Sequence, residues 1–390
     1  MELQKRNILI LSVAQGLSVT STNINIINTG LVGALLASNV AYATIPLSLQ
    51  FLTVAISLIP VSLMMGKIGR RPMFLIGALS AFIGCLVVAF SIYDKSFSLF
   101  ILGSILIGFS QANQQFYRYA AADNVSNNLK SKAISLVLAG GVVAAVLGPE
   151  ISRYSFDLFP KYIYLGTYIL AGCIQILNFI LLLFVNIEKP KKTTLNVRPL
   201  WIIIKEKTLV IAILAAATGY SLMTYMMTAT PLQIVNICKL GNSASATVIQ
   251  WHVIAMFAPS FFTGSIIIYL GNRKVMFIGV FLYAVSIFFG VIGQSVQHFW
   301  VALFLCGLGW NFLYVGGSDI IAKSSFPEER AKVQGVTDFI IFTFVALGSF
   351  LAGTLHSNLG WETMMIYAII PLVILLTSIM LIRPKELKST

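Results

Sequence analysis

Twelve runs of apolar residues, each close to the length that crosses a bilayer, set the limits on this chain. They begin near Ile8, Ala43, Phe74, Phe97, Ala133, Ile163, Leu209, Ala246, Met276, Trp300, Val336 and Met364, and most are joined by loops of a few residues. A helix needs about 20 apolar residues to span the hydrocarbon core. Backbone in lipid must satisfy its own hydrogen bonds, which leaves helices or closed barrels. These runs do not alternate as barrel strands do, so the expectation is an all-α membrane protein with twelve transmembrane helices. Twelve spans use nearly all of the 390 residues and leave no room for a soluble domain. Charged residues are only 10% of the chain, against about 25% in a soluble domain, which excludes a disordered protein and an ordinary soluble enzyme. No nucleophile–base pair, phosphate loop or paired carboxylates appear, so no enzyme and no resident cofactor are expected.

The formal charge of +13 raises nucleic acid as a partner. The basic residues are instead scattered over short segments. With the N-terminus inside, most of the 26 Lys and Arg residues fall on cytoplasmic segments, among them Lys5, Arg6, Lys67, Arg70, Arg71, Lys130, Lys189, Lys207, Arg273, Lys274 and Lys332. That is the positive-inside pattern, and it predicts a multi-pass protein of the inner membrane with both termini cytoplasmic and no nucleic-acid partner. The first run is too long for a signal-peptide core and reads as an uncleaved helix. The four cysteines, Cys85, Cys173, Cys238 and Cys306, are dispersed and imply neither a zinc site nor a disulfide framework.

The chain divides into two pseudo-symmetric parts: a six-helix half at 1–186, a charged linker at 187–207, and a second six-helix half at 208–390. Gly69-Arg70-Arg71 after the second span matches Gly271-Asn272-Arg273 after the eighth. Asp123 matches Asp319, and Lys132-Ala133 matches Arg330-Ala331. A repeated half of this kind is the plan of a rocking transporter with its path between the halves.

The loop Ser62-Leu63-Met64-Met65-Gly66-Lys67-Ile68-Gly69-Arg70-Arg71 resembles the GxxxDRxGRR loop of the major facilitator superfamily. Ser62 stands where that motif has Gly, and Gly66 where it has Asp. The second copy keeps Gly264, Gly271 and Arg273 but has Ile268 at the acidic position. The resemblance implies the facilitator fold and a latch on the cytoplasmic side. Arg70 with Asp123, and Arg273 with Asp319, are the candidate gating pairs; ordinary loop charges are the alternative. The run Gly140-Gly141 to Gly148-Pro149 partly resembles the Gly-Pro motif of facilitator antiporters, and close packing of small residues explains it equally simply.

Three spans carry polar faces. The first holds Ser18, Ser21, Thr22, Asn25, Asn28 and Thr29; the fourth holds Gln111, Gln114, Gln115 and Arg118; the tenth holds Trp310, Asn311, Tyr314 and Ser318. Polar groups facing lipid are costly, so Asn25, Asn28, Gln111, Gln115, Arg118, Asn311 and Tyr314 are candidates for lining a central cavity. Hydrogen bonding between helices is the alternative. Arg118 needs a partner, and Asp123 stands one turn away. Glu150 and Asp338 are acids that could carry a coupling proton.

A soft-ligand set is the remaining constellation. Met223 and Met227 on the seventh span, and His252 and Met256 on the eighth, are each four residues apart and share a helical face. At 1.5 Å rise per residue, Met227 and His252 lie roughly 8 to 9 Å below the outer ends, and Met223 and Met256 roughly 14 to 15 Å. Thioethers favour Cu(I). MxxxM followed by HxxxM, with the stretches Trp251 to Gly264 and Phe116 to Asp123, resembles the CcoA-like copper importers. The resemblance implies copper as cargo held by Met223, Met227, His252 and Met256, supplied to cytochrome oxidase assembly. The expectation is therefore a monomeric copper importer working by alternating access and passing the ion to a cytoplasmic thiol protein, with Cys238 a possible first receiver. The alternatives are a facilitator carrying a small organic solute such as a vitamin, metabolite or drug, and a transport-dead sensor or scaffold.

Overall fold

The computed structural model describes residues 2–123, 127–187, 202–203, 205–324 and 330–381. Among these the ordered elements are helices and no strand is present. They are α1 (Glu2–Leu36), α2 (Ile45–Ile68), α3 (Arg70–Asp94), α4 (Phe97–Gln114), α5 (Tyr117–Asp123), α6 (Asn127–Ser155) and α7 (Leu165–Leu182). Then come α8 (Lys207–Pro231) with a π-helical end at Leu232–Ile237, α9 (Asn242–Phe257), α10 (Ser260–Leu270), α11 (Asn272–Ile292), α12 (Val296–Lys323), α13 (Arg330–Tyr367) and α14 (Ile369–Leu381). The expected linker at 187–207 lies largely outside the described residues.

Eight segments are long and apolar enough to cross a membrane, and a ninth is added when α9 and α10, bent by 44° at their break, count as one span. One of the eight, Val333–Leu381, runs through a bend at Gly360, where φ is +77°, and so holds two expected spans. α1 and α4 are outside the eight. α1 carries a run of Ser, Thr and Asn, and α4 ends in Gln111, Asn113 and Gln114. Part of each run, Thr22 and Asn23 of α1 and Gln111 and Gln114 of α4, faces the space between the two parts of the chain.

Two matched turns explain the repeated glycines. Gly69 joins α2 to α3 at φ +97° and ψ 164°, and Gly271 joins α10 to α11 at φ +80° and ψ 152°. An L side chain is strained there, so only Gly reverses the chain so tightly at these positions. The arginines beside the turns cap the ends of neighbouring helices. Arg71 donates to the Leu183 carbonyl (2.7 Å) and Arg6 to the Phe184 carbonyl (3.0 Å), while Arg273 donates to the Met380 carbonyl (3.3 Å). Cations satisfy and neutralise the last carbonyls of a helix. These turns, with Lys67, Arg70, Lys274 and the start of α1, form what we call the basic face.

Small residues bring α1 and α6 together. A Cβ on Gly140 would overlap the Ser12 carbonyl oxygen, and one on Gly148 would stand 2.9 Å from the Asn23 Cβ. The glycine run of α6 therefore serves helix packing. Large apolar side chains such as Leu63, Phe90, Leu177, Phe281 and Phe344 project outward, as a bilayer requires.

Candidate substrate cavity

Helices from the two parts of the chain line a common cavity between them. One wall comes from the first part: Gln15, Thr22 and Asn23 of α1, Gln111 and Gln114 of α4, Gln115 after it, and Arg118 of α5. It is a wall of amides ending in one guanidinium. The facing wall comes from α8, α9 and α12. On α8, Tyr220, Met223, Thr224, Met227 and Thr228 follow one another at helical spacing and form a stripe. Met256 and Phe257 of α9 and Trp310 and Tyr314 of α12 complete it.

The aromatic groups of that second wall are packed in order. Trp310 and Tyr314 are stacked, with centroids 5.0 Å apart and planes 14° from parallel. Tyr220 meets both edge-on at 5.5 and 5.3 Å, and Phe257 meets Trp310 edge-on at 5.7 Å. Three polar atoms of this wall, Trp310 Nε1, Thr224 Oγ1 and Thr228 Oγ1, are buried and have no hydrogen-bond partner among the described residues. A buried donor without a partner costs about 1–3 kcal/mol, so these three favour a bound molecule with its own polar atoms.

A hydrogen-bonded network lies behind the amide wall. Asn25 Nδ2 donates to Gln50 Oε1, and Gln50 Nε2 donates to Gln111 Oε1 at 2.9 Å. Tyr168 and Thr29 donate to Asn25 Oδ1 at 2.9 and 3.1 Å. The network fixes Gln111 from behind, and Asn25 itself is buried outside the cavity. Asn28 is paired with Ser152 at 2.9 Å, on a second, smaller recess of about 230 Å³.

Toward the basic face the cavity ends at Arg118. Its Nη1 donates to Tyr314 OH and its Nη2 to Tyr119 OH, both at 3.0 Å, and Nη2 stands 3.4 Å from Asp338 Oδ2 on α13. The partner of Arg118 is thus an acid 220 positions away; the side chain of Asp123, the neighbour expected from spacing, lies outside the described residues. Toward the opposite face, Arg153 of α6 donates to Glu150 (2.9 Å) and to Thr247 of α9 (2.8 Å), and Gln250 donates to Glu150 at 3.3 Å. Polar contacts between the two parts of the chain thus stand toward both faces of the cavity.

Arg70 donates to the Phe116 carbonyl at 3.2 Å, and the side chain of its expected partner Asp123 lies outside the described residues. Arg273 stands over the Phe277 ring, 5.5 Å from its centroid, and Asp319 accepts from Asn272 at 2.9 Å. Asn311 does not line the cavity. Its Nδ2 donates to the Met256 carbonyl and lies 2.7 Å from Ser260 Oγ, while its Oδ1 accepts from Thr263 at 2.5 Å, all across the break between α9 and α10. Of the four soft ligands, Met223, Met227 and Met256 line the cavity and His252 does not. His252 is fully buried and donates Nδ1–H to the Leu303 carbonyl of α12 at 2.6 Å. Cys238 lies 3.3 Å from Gln294 Oε1 and 3.5 Å from Gln233 Nε2. Gln50, Tyr220, Thr224, Thr228 and Phe257 were not singled out by spacing; the stripe on α8 was the signal that could have found three of them.

The family model of the Major Facilitator Superfamily matches residues 9–237 and 232–390. The chain belongs to that superfamily. It is 38% identical over 389 residues to the riboflavin transporter RfnT of Brucella anthropi, covering 98% of this chain and 97% of that one. It is 28% identical over 357 residues to YddS of Bacillus subtilis, an uncharacterized MFS-type transporter, covering 84% of this chain and 80% of that one. Among solved structures it is similar to the human organic anion transporter MFSD10, with a TM-score of 0.73 at 13% identity, covering 96% of this chain and 99% of that one. That likeness bears on the fold alone.

The full-length relation to a riboflavin transporter overturns the expectation of copper import. With copper go the CcoA-like assignment, ion transport and a thiol-protein partner. The geometry offers a reason for the misreading. Three thioethers share one wall with four aromatic rings, while the imidazole is bonded into α12. Met at these positions suits packing against a flat ring as well as it suits a soft ion.

Proposed function

We propose that this chain carries riboflavin, or a vitamin of the same build, across the cytoplasmic membrane by alternating access. Such a molecule has a flat polar ring system and a hydroxylated tail. Support comes from the 38% identity to RfnT over nearly the whole length. The carrying observation is the make-up of this cavity: stacked Trp310 and Tyr314, with Trp310 Nε1, Thr224 and Thr228 unpartnered among the described residues, facing a row of amides. Rings bind flat heterocycles through their faces, and amides match ring carbonyls and hydroxyls. The charge pattern supports placing the basic face in the cytoplasm.

Alternating access needs closures that form and break. The contacts Arg118 to Asp338 and Arg153 to Thr247 join the two parts of the chain at opposite ends of the cavity, and we assign them as the two closures. The test is flux of labelled riboflavin into proteoliposomes and growth rescue of a riboflavin-auxotrophic strain. Saturable movement competed by unlabelled riboflavin is the expected result. No flux together with no rescue, from protein that reaches the membrane, removes the reading.

A further inference from the structure

Arg118 is the one charged side chain among the described residues that line the cavity. Asp338 is the one acid among the described residues that is buried, at 8% exposure. The two meet at 3.4 Å, and Asp338 approaches from α13 without itself lining the cavity. The guanidinium is otherwise committed to the hydroxyls of Tyr314 and Tyr119, and only its Nε lacks a partner among the described residues. Tyr220, which stacks edge-on against Tyr314, is the remaining titratable group nearby.

The consequence is electrostatic. A guanidinium alone at the end of a dry cavity is a strong anchor for phosphate or carboxylate, because charge-assisted bonds are strong where water is excluded. The same guanidinium with a carboxylate behind it presents little net charge. It cannot repay the removal of water from an anion. Hydroxyls and ring carbonyls are uncharged, and their binding hardly depends on that balance.

We propose that Asp338 sets the charge selectivity of the cavity while the two side chains are in contact: by neutralising Arg118 from behind, it keeps the site receptive to an uncharged flavin and closed to the 5′-phosphate ester. The proposal rests on the flavin reading above and makes Asp338 a specificity-determining residue that acts through Arg118.

The test uses the purified full-length chain in lipid nanodiscs, titrated with riboflavin and with riboflavin 5′-phosphate and followed by flavin fluorescence. The readout is the ratio of the two dissociation constants. The wild type is expected to prefer riboflavin by about tenfold or more. Asp338→Asn should narrow that preference by about tenfold or reverse it, and Arg118→Gln should widen it. Asp338→Glu and the double neutral variant Arg118→Gln/Asp338→Asn should both return near the wild-type ratio. A change that merely loosens the closure weakens both ligands and leaves the ratio unmoved. If Asp338→Asn does not fold, a ratio widened in Arg118→Gln and restored in the double neutral variant supports the proposal, and a double variant that keeps the widened ratio overturns it. An unchanged ratio in an Asp338→Asn protein that still binds riboflavin overturns it too. So does a wild type that binds both flavins alike, a result that leaves the flavin reading standing. A wild type that binds neither flavin overturns both.

Discussion

The two walls of the cavity are built on different principles. The amide wall of α1, α4 and α5 is held from behind: Gln111 is fixed by Gln50, which is fixed by Asn25, which is held by Tyr168 and Thr29. The wall of α8, α9 and α12 is held by ring packing and leaves Trp310 Nε1, Thr224 and Thr228 unsatisfied by protein. On the amide wall Gln111 and Asn23 are tied to neighbouring helices, and on the aromatic wall three buried polar atoms are left for a ligand to satisfy. Affinity should depend most on the apolar wall, and stability on the network behind the polar one.

Trp310→Ala is the largest blow to that contrast. It removes the stacked ring and a free donor, and should weaken riboflavin binding about 30-fold, ~2 kcal/mol, in fluorescence titration. Equal binding in this variant would break the comparison. Gln50→Leu leaves Asn25 and Gln111 each short of a partner, and should cost about 1–2 kcal/mol of stability, read as a lower Tm in detergent with affinity nearly unchanged. Trp310→Phe keeps a ring but deletes Nε1–H, and should lower affinity about fivefold. Gln115→Ala removes an amide that faces the cavity from the amide wall, and should cost only about threefold. Met227→Leu conserves volume and should change riboflavin flux less than about twofold, with cellular copper unchanged by metal analysis.

Much of the fold follows from pattern alone. The runs of apolar residues located the helices, and the paired Gly69 and Gly271 marked turns that the backbone needs for a steric reason. Gln111, Gln115, Arg118 and Tyr314 were readable as cavity residues because a polar side chain in a span has few places to go. Asn25 and Asn311 obey the same rule and still lie outside the cavity, since hydrogen bonds between helices satisfy them as well as a ligand could. His252 shares the helix of Met256, but its imidazole bonds to the Leu303 carbonyl of α12 while Met256 lines the cavity. The pairing of Arg118 with Asp338 depends on how α5 meets α13, which no local spacing encodes. The substrate class was the least readable, because thioether side chains serve metals and flat rings alike.

The bend between α9 and α10 has a mechanical implication. Pro259 supplies no backbone donor there, and Asn311 adds a side-chain rivet to the Met256 carbonyl and to Ser260 and Thr263. The kink is therefore clamped to α12. Any tilt of the short segment α10 must drag α12 along, and with it the indole and phenol that α12 holds against the cargo.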